Sequence, residues 1–199
     1  MDNRVVWLTG LSGAGKTTIA LAAADRFGCE VLDGDTIRDF FSNTDFSREG
    51  RERHLLGVAR MAKMISKHTP VLCSFITPYE DVRLKILEIL PDNAVMAHVS
   101  TSLEVCEERD AKGLYAKARS GEISNFTGIT DPFDAPECAH LTLDSSGEEG
   151  KSVSELVDQL AHLFEKSKGV LLPGRWQPLH VGHEWLIQQE LDQGKRVIV

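Results

Sequence analysis

Gly10-Leu11-Ser12-Gly13-Ala14-Gly15-Lys16-Thr17 fits the pattern G-x-x-x-x-G-K-[ST]. It lies between the apolar run Val5-Val6-Trp7-Leu8 and the helix-forming run Ile19-Ala20-Leu21-Ala22-Ala23-Ala24. A strand, a glycine loop and a helix in that order make a site for a nucleoside triphosphate. The glycines let successive backbone N–H groups turn inward on phosphate oxygens, and the positive end of the following helix adds to the attraction. Gly10, Ser12, Gly13, Ala14, Gly15 and Lys16, with Thr17 and Thr18, form the expected cradle. Lys16 would reach the β- and γ-phosphates, and Thr17 would offer its hydroxyl to Mg²⁺.

Outward from that loop, short apolar runs alternate with helical periodicity. Strands are expected at Val5 to Thr9, Glu30 to Leu32, Val71 to Phe75, Ala94 to Val99 and Leu141 to Leu143. Helices are expected at Lys16 to Phe27, Arg48 to Lys67, Tyr79 to Leu90, Ser102 to Arg109 and Val153 to Lys166. Such alternation predicts an α/β fold of the P-loop NTPase kind: a parallel sheet with helices on both faces and ligands at the carboxyl ends of the strands. Leu55, Val58, Ala59, Ala62 and Ile65 share one helix face and read as core. The stretch from Lys112 to Pro136 breaks the pattern, being polar, carrying Gly113, Gly121 and Gly128, and closing on Pro132 and Pro136. A connection of that length in a compact domain is usually functional, and a lid over the site is the expectation.

Of the 199 residues, 42% are hydrophobic, enough for a real core rather than a disordered chain. Asp plus Glu number 30 against 22 Lys plus Arg, and the net charge of −8 speaks against a nucleic-acid partner or an anionic membrane surface. A local cluster of cations can still oppose that sign around an anionic substrate. No apolar run is long enough for a membrane span, and Met1-Asp2-Asn3-Arg4 opens without the apolar stretch of a signal peptide, so a cytoplasmic location is expected. Cys29, Cys73, Cys106 and Cys138 form no C-x-x-C pair and read as free buried thiols.

Asp33-Gly34-Asp35 follows the second strand, which brings its carboxylates to the sheet edge that carries the phosphate loop. A carboxylate there holds a Mg²⁺-bound water or accepts the proton of an attacking hydroxyl. Arg38 lies three residues past Asp35, and Arg51 three past Arg48. From those positions guanidinium forks could grip a phosphate or sulfate; solvated helix charge is the alternative.

Six segments together resemble the adenosine 5′-phosphosulfate (APS) kinase family, over most of Val5 to Leu160: VWLTGLSGAGKTT (Val6 to Thr18), LDGDTIR (Leu32 to Arg38), FITPY (Phe75 to Tyr79), LEVCEERD (Leu103 to Asp110), KGLYAKAR (Lys112 to Arg119) and GEISNFTGI (Gly121 to Ile129). The lid sequence around Lys112 and Phe126 is the specific part, since a phosphate loop alone says only nucleoside triphosphate. The resemblance implies transfer of the γ-phosphoryl group of ATP to the 3′-hydroxyl of APS, with ATP and Mg²⁺ as cofactors and a homodimer as the assembly. By position it implies Lys16, Asp33, Asp35 and Thr77 as the catalytic group, Thr17 and Asp35 on the metal, and Arg109 packed on the ATP adenine. On the acceptor side it implies Arg38 and Arg51 on the phosphosulfate, and Phe46 and Phe126 on the two faces of the substrate adenine, where stacking suits a flat π-system. It also implies acceptor contacts from Asp35, Ile76, Thr77 and Leu114, with Lys112 balancing phosphate charge as the lid closes. Thr77 stands where the family commonly has a Ser. In-line transfer needs alignment and charge stabilisation rather than a covalent step, so Thr77 is expected to hydrogen-bond substrate. After Arg51 the family usually has an Asn and two Arg, whereas this chain has His54, Leu56 and Gly57. Another small-molecule acceptor, or a non-catalytic nucleotide-binding module, stays open on that ground.

After Lys166 a second pattern begins, with a strand at Gly169 to Leu172, a loop at Pro173 to Gly182, a helix at His183 to Leu191 and a strand at Arg196 to Val199. GRWQPLHVGH (Gly174 to His183) resembles the H-x-G-H signature of nucleotidylyltransferases, in which His180 and His183 would stabilise triphosphate charge. Residues 1–167 are therefore expected to form the kinase-like domain, and 168–199 the opening of a nucleotidylyltransferase-like Rossmann domain in a fused protein.

Overall fold

Val5-Val6-Trp7-Leu8-Thr9 is β-branched and aromatic, and as strand β1 (Val5–Thr9) it is buried along its whole length. Burial on both faces is what a central parallel strand requires. Around it β2 (Glu30–Asp33), β3 (Val71–Ser74), β4 (Val95–Ser100) and β5 (Leu141–Asp144) complete a sheet in the order β2-β3-β1-β4-β5, with every pairing parallel. The computed structural model describes residues 4–145 and 152–164, with the backbone of 170–171 and 197–198. Its helices are α1 (Lys16–Phe27), α2 (Gly34–Phe40), α3 (Arg48–Ile65), α4 (Glu80–Ile89), α5 (Leu103–Arg109), α6 (Leu114–Arg119) and α7 (Val153–Phe164). Alternate residues of β1 feed two cores, Val6 and Leu8 meeting Ile19, Leu143 and Leu160, and Val5 and Trp7 meeting Leu55, Val58 and Ile86.

This is the α/β architecture that the alternating pattern predicts, with the expected elements displaced by no more than two residues at their ends. Two helices depart from it. Asp33-Gly34-Asp35 begins α2: Asp33 Oδ1 accepts from the N–H groups of Asp35 (3.1 Å) and Thr36 (3.5 Å). None of the seven residues of α2 is buried, so no apolar period betrays it. Inside the long polar connection, the Asp110 carboxylate starts α6 by accepting from the N–H groups of Tyr115 and Ala116, both at 3.0 Å. Only Tyr115 and Ala118 of that helix are buried, too few for a readable stripe.

The segment after β3 passes through Thr77 at φ 47°, a region that β-branched residues rarely enter. Arg83 of α4, fully buried, holds it there. Its Nη1 donates to Thr77 O at 2.6 Å, its Nη2 to Asp134 O at 2.7 Å, and its Nε to Glu80 Oε2 at 2.6 Å. Glu80 in turn accepts from Cys138 N–H at 2.7 Å, so the end of the long polar connection that starts at Lys112, here called the flap, is fastened to α4.

The chain divides into two compact units, Met1–Phe164 and Glu165–Val199. In the second, β6 (Val170–Leu171) and β7 (Val197–Ile198) pair in parallel. His180, His183 and the helix expected from His183 to Leu191 lie outside the described residues. Among the described residues no helix is long and apolar enough to cross a membrane. Cys29, Cys73 and Cys106 are buried free thiols, and Cys138 is half-buried.

Arg83→Met leaves Glu80 and two carbonyls without their donor. The expected loss is about 3 kcal/mol of unfolding free energy, as for other broken buried ion pairs. Urea unfolding measures it, and a loss below about 1 kcal/mol, the scale of an exposed pair, would mean that the clamp is dispensable.

Candidate active site

The register pairs both Leu8 and Asp33 with Ser74, which draws the carboxyl ends of β1, β2 and β3 to one place. A cleft of about 320 Å³ opens there, in the range of small-molecule sites. Ser12, Gly13, Gly15, Lys16, Thr17 and Thr18 form one end of it, and Arg38, Phe46, Arg51, Ile76 and Thr77 form the other, with Asp33, Asp35 and Lys112 between them. Gly10, Ala14, Arg109, Leu114 and Phe126 lie off its wall. Gly10 instead governs where the loop leaves the sheet, since a Cβ on it would stand 2.6 Å from Val99 O. Ala14 points its carbonyl away from the cleft, to the hydroxyls of Thr101 (3.2 Å) and Ser145 (3.0 Å), and Arg109 donates to Ser145 O at 3.0 Å.

Gly13 and Gly15 sit at φ 77° and 94°, the left-handed values that an inward-turned nest of N–H groups needs. Lys16, only 8% exposed, donates to Leu11 O at 2.7 Å. Burial pushes its pKa down to about 8. Thr17 Oγ1 donates to Asp33 Oδ2 at 2.7 Å and lies 3.3 Å from Ser74 Oγ. The expected metal pair was Thr17 with Asp35. In the structure the Thr17 hydroxyl bonds Asp33, which caps α2 beside the loop, and Asp35 makes an ion pair with Lys112. An all-oxygen set of a hydroxyl and a carboxylate suits Mg²⁺, which keeps most of its waters and phosphate ligands. Among the described residues no cluster of three or more His, Cys, Asp or Glu exists to cage a metal on protein groups alone.

At the other end, the Arg38 guanidinium lies 4.3 Å from the centre of the Phe46 ring. Arg51 donates from Nε to Phe46 O (2.9 Å), from Nη1 to Thr127 Oγ1 (2.8 Å) and from Nη2 to Asn125 O. It therefore ties the flap to α3 as well as facing the cleft. Thr77 Oγ1 accepts from Trp7 Nε1 at 2.9 Å, which orients the hydroxyl and leaves its proton to donate. Phe46 and Phe126 do not form an open sandwich. Phe126 is 9% exposed and packs edge-on against Tyr115 at 4.9 Å, because the N–H groups of Ile129, Thr130 and Asp131 all close on Phe126 O and turn its ring into the core. The flap nevertheless lies over the phosphate loop, with Tyr115 donating to Ser12 O at 2.9 Å.

With a phosphate nest, an oxygen pair for a cation and an arginine-walled second compartment in one cleft, the comparison with known proteins is direct. The family model described as adenylylsulphate kinase matches residues 2–144. The chain belongs to the adenylylsulphate kinase family. It is 45% identical over 166 residues to the adenylyl-sulfate kinase of Shewanella baltica, covering 78% of this chain and 80% of that protein. It is also 45% identical over 177 residues to the probable adenylyl-sulfate kinase of Aeropyrum pernix, covering 84% of this chain and 93% of the other. Among solved structures, the Mycobacterium tuberculosis APS kinase in complex with AMPPNP and APS superposes with a TM-score of 0.75 at 32% identity, covering 83% of this chain and 99% of that one.

Several residues that shape the cleft gave no sequence signal of their role. Ser74 reaches Thr17 only through strand register, Trp7 reads as plain core, and Tyr115 sits in a helix too short to recognise. His54 stood out only as a departure from the family pattern, yet it lines the cleft. The cleft carries Lys16, Arg38, Arg51 and Lys112 against Asp33, Asp35 and Asp110, a positive balance inside a chain of net charge −8.

Lys16 must be charged to meet phosphate, and its ordinary proton is lost as pH rises through about 8. The value of kcat/KM for ATP reports the free enzyme, so it should decline above that pH. A profile flat through that range would contradict the assignment.

Proposed function

We propose that this chain transfers the γ-phosphoryl group of ATP to the 3′-hydroxyl of adenosine 5′-phosphosulfate, forming 3′-phosphoadenosine 5′-phosphosulfate. The observation that carries the reading is one cleft lined both by a phosphate nest at Ser12–Thr17 and by an Arg38–Phe46–Arg51 compartment. The nest and Lys16 hold the triphosphate tail and neutralise charge at the transferring group, the dominant need of phosphoryl transfer. Thr17 and Asp33 would hold Mg²⁺, which when bound neutralises the phosphate oxygens. Asp35, paired with exposed Lys112, is the carboxylate we assign to accept the proton of the attacking hydroxyl. Lys112, when it turns to phosphate, releases Asp35 for that task.

Arg38 and Arg51 receive the phosphosulfate, Phe46 stacks on the acceptor adenine, and Thr77 donates a hydrogen bond that aligns it. Phe126 supports the flap from within. The H-x-G-H segment ending at His183 supports a second, nucleotidylyltransferase-like module on the same polypeptide, and a homodimer is the proposed assembly.

With ATP and Mg²⁺, purified protein should convert APS and release ADP, with AMP and other nucleotides poorer acceptors. No turnover of APS would remove this acceptor. Lys16→Ala should lower kcat by on the order of a hundredfold or more. Phe46→Ala should raise the acceptor KM about tenfold, the low end of a lost stacking contact, and leave the ATP KM in place.

A further inference from the structure

Thr77 carries a branched side chain at φ 47°, where the backbone favours none. Such a residue persists only when its surroundings over-determine it. Here Arg83 Nη1 donates to Thr77 O at 2.6 Å, and the preceding Ile76 O accepts from Thr9 Oγ1 at 2.7 Å and from Gly10 N–H at 3.3 Å. Glycine would take the same turn without strain, so what the position keeps is a hydroxyl. That hydroxyl meets the indole of Trp7, whose Nε1 donates to it at 2.9 Å. Trp7 is fully buried, stacked on Phe75 at 5.2 Å within an apolar cluster where a ring without a polar atom would pack as well. Two side chains, each dearer than its plain alternative, thus meet in one hydrogen bond on the cleft wall. An indole nitrogen only donates, so the Thr77 oxygen must accept from it and turn its own proton elsewhere. Among the described residues Trp7 is the hydroxyl's one hydrogen-bond partner, which leaves that proton for a ligand.

We propose that Trp7 is a positioning residue, whose indole N–H fixes the Thr77 hydroxyl as a donor toward a lone pair of the bound acceptor. The proposal rests on the acceptor-site reading given above. A hydroxyl free to rotate would offer its oxygen as readily as its proton, and part of its bond to the substrate would be lost in ordering it. Held by Trp7 it is ordered beforehand, and the two hydrogen bonds in series polarise one another.

The test is a double-mutant cycle on the full chain with APS, ATP and Mg²⁺, comparing Trp7→Phe, Thr77→Val and the two together. Trp7→Phe should lower kcat/KM for APS about fivefold and Thr77→Val about tenfold, the scale of a lost neutral hydrogen bond. The double variant should fall no further than Thr77→Val, because Trp7 has nothing left to orient, whereas independent effects would multiply to about fiftyfold. Thr77→Ser, which keeps the hydroxyl, should stay within about threefold, and the ATP KM of Trp7→Phe within about twofold. Should the smaller phenyl ring leave the protein unfolded, 3-benzothienyl-alanine at position 7 keeps the bicyclic shape with sulfur in place of N–H, and the same cycle is read with it. If the original protein shows no APS turnover, the acceptor reading itself fails. If it turns APS over while the double variant shows the multiplied loss, Trp7 acts through packing alone and only its positioning role fails. That role is also overturned if Trp7→Phe keeps the original kcat/KM for APS, if it raises the ATP KM as much as the APS KM, or if Thr77→Ser loses as much as Thr77→Val.

Discussion

The chemistry of this protein depends on how β1 ends. The strand is wedged between β3 and β4, and at its last turn Gly10 passes so close to Val99 that no side chain fits. That contact sets the angle at which the chain leaves the sheet, and so fixes where the N–H groups of the phosphate loop converge. The loop is braced again from behind, where Thr101 and Ser145 hold the Ala14 carbonyl. A nest held on both sides is preorganised, which is what electrostatic stabilisation of a transferring phosphoryl group requires.

The acceptor half of the cleft is organised by one cation. Arg51 holds the Phe46 backbone with one nitrogen and the flap turn at Asn125 and Thr127 with the other two. An anion in the acceptor compartment meets the same guanidinium that holds that turn, with one N–H still free on each terminal nitrogen. The cleft also departs from the overall charge of the chain: four cations line it against three carboxylates, a local balance opposite in sign to the net −8.

Legibility followed the range of the interactions. The nucleotide end was readable because the phosphate loop is a local backbone device, with its glycines, Lys16 and Thr17 within eight residues. Strands β1 and β3 were readable because full burial leaves continuous apolar runs, whereas the edge strands β2 and β5, with one buried residue each, showed only as short apolar pieces between helical stretches. The contact of Asp33 with Thr17 was not, because it turns on the cap of α2, a helix with no buried residue. The burial of Phe126 was hidden for a similar reason. The resemblance placed it at the acceptor, and only the turn that gathers three N–H groups on its carbonyl shows the ring facing inward. Arg83 offered no signal, since its partners Thr77 and Asp134 lie 6 and 51 residues away.

The flap is a strap buckled at both ends. Tyr115 secures its front to Ser12, Arg83 and Glu80 secure its rear at Asp134 and Cys138, and Arg51 pins the middle. Such a strap can rise or settle but has little slack to gain or lose near a buckle. An insertion would therefore be tolerated best between Ser120 and Ser124, where Ser120, Gly121, Glu122 and Ser124 are exposed and no buckle attaches. A family of enzymes built on this plan can vary the outer contour of the cover there while the span above the reacting groups stays the same.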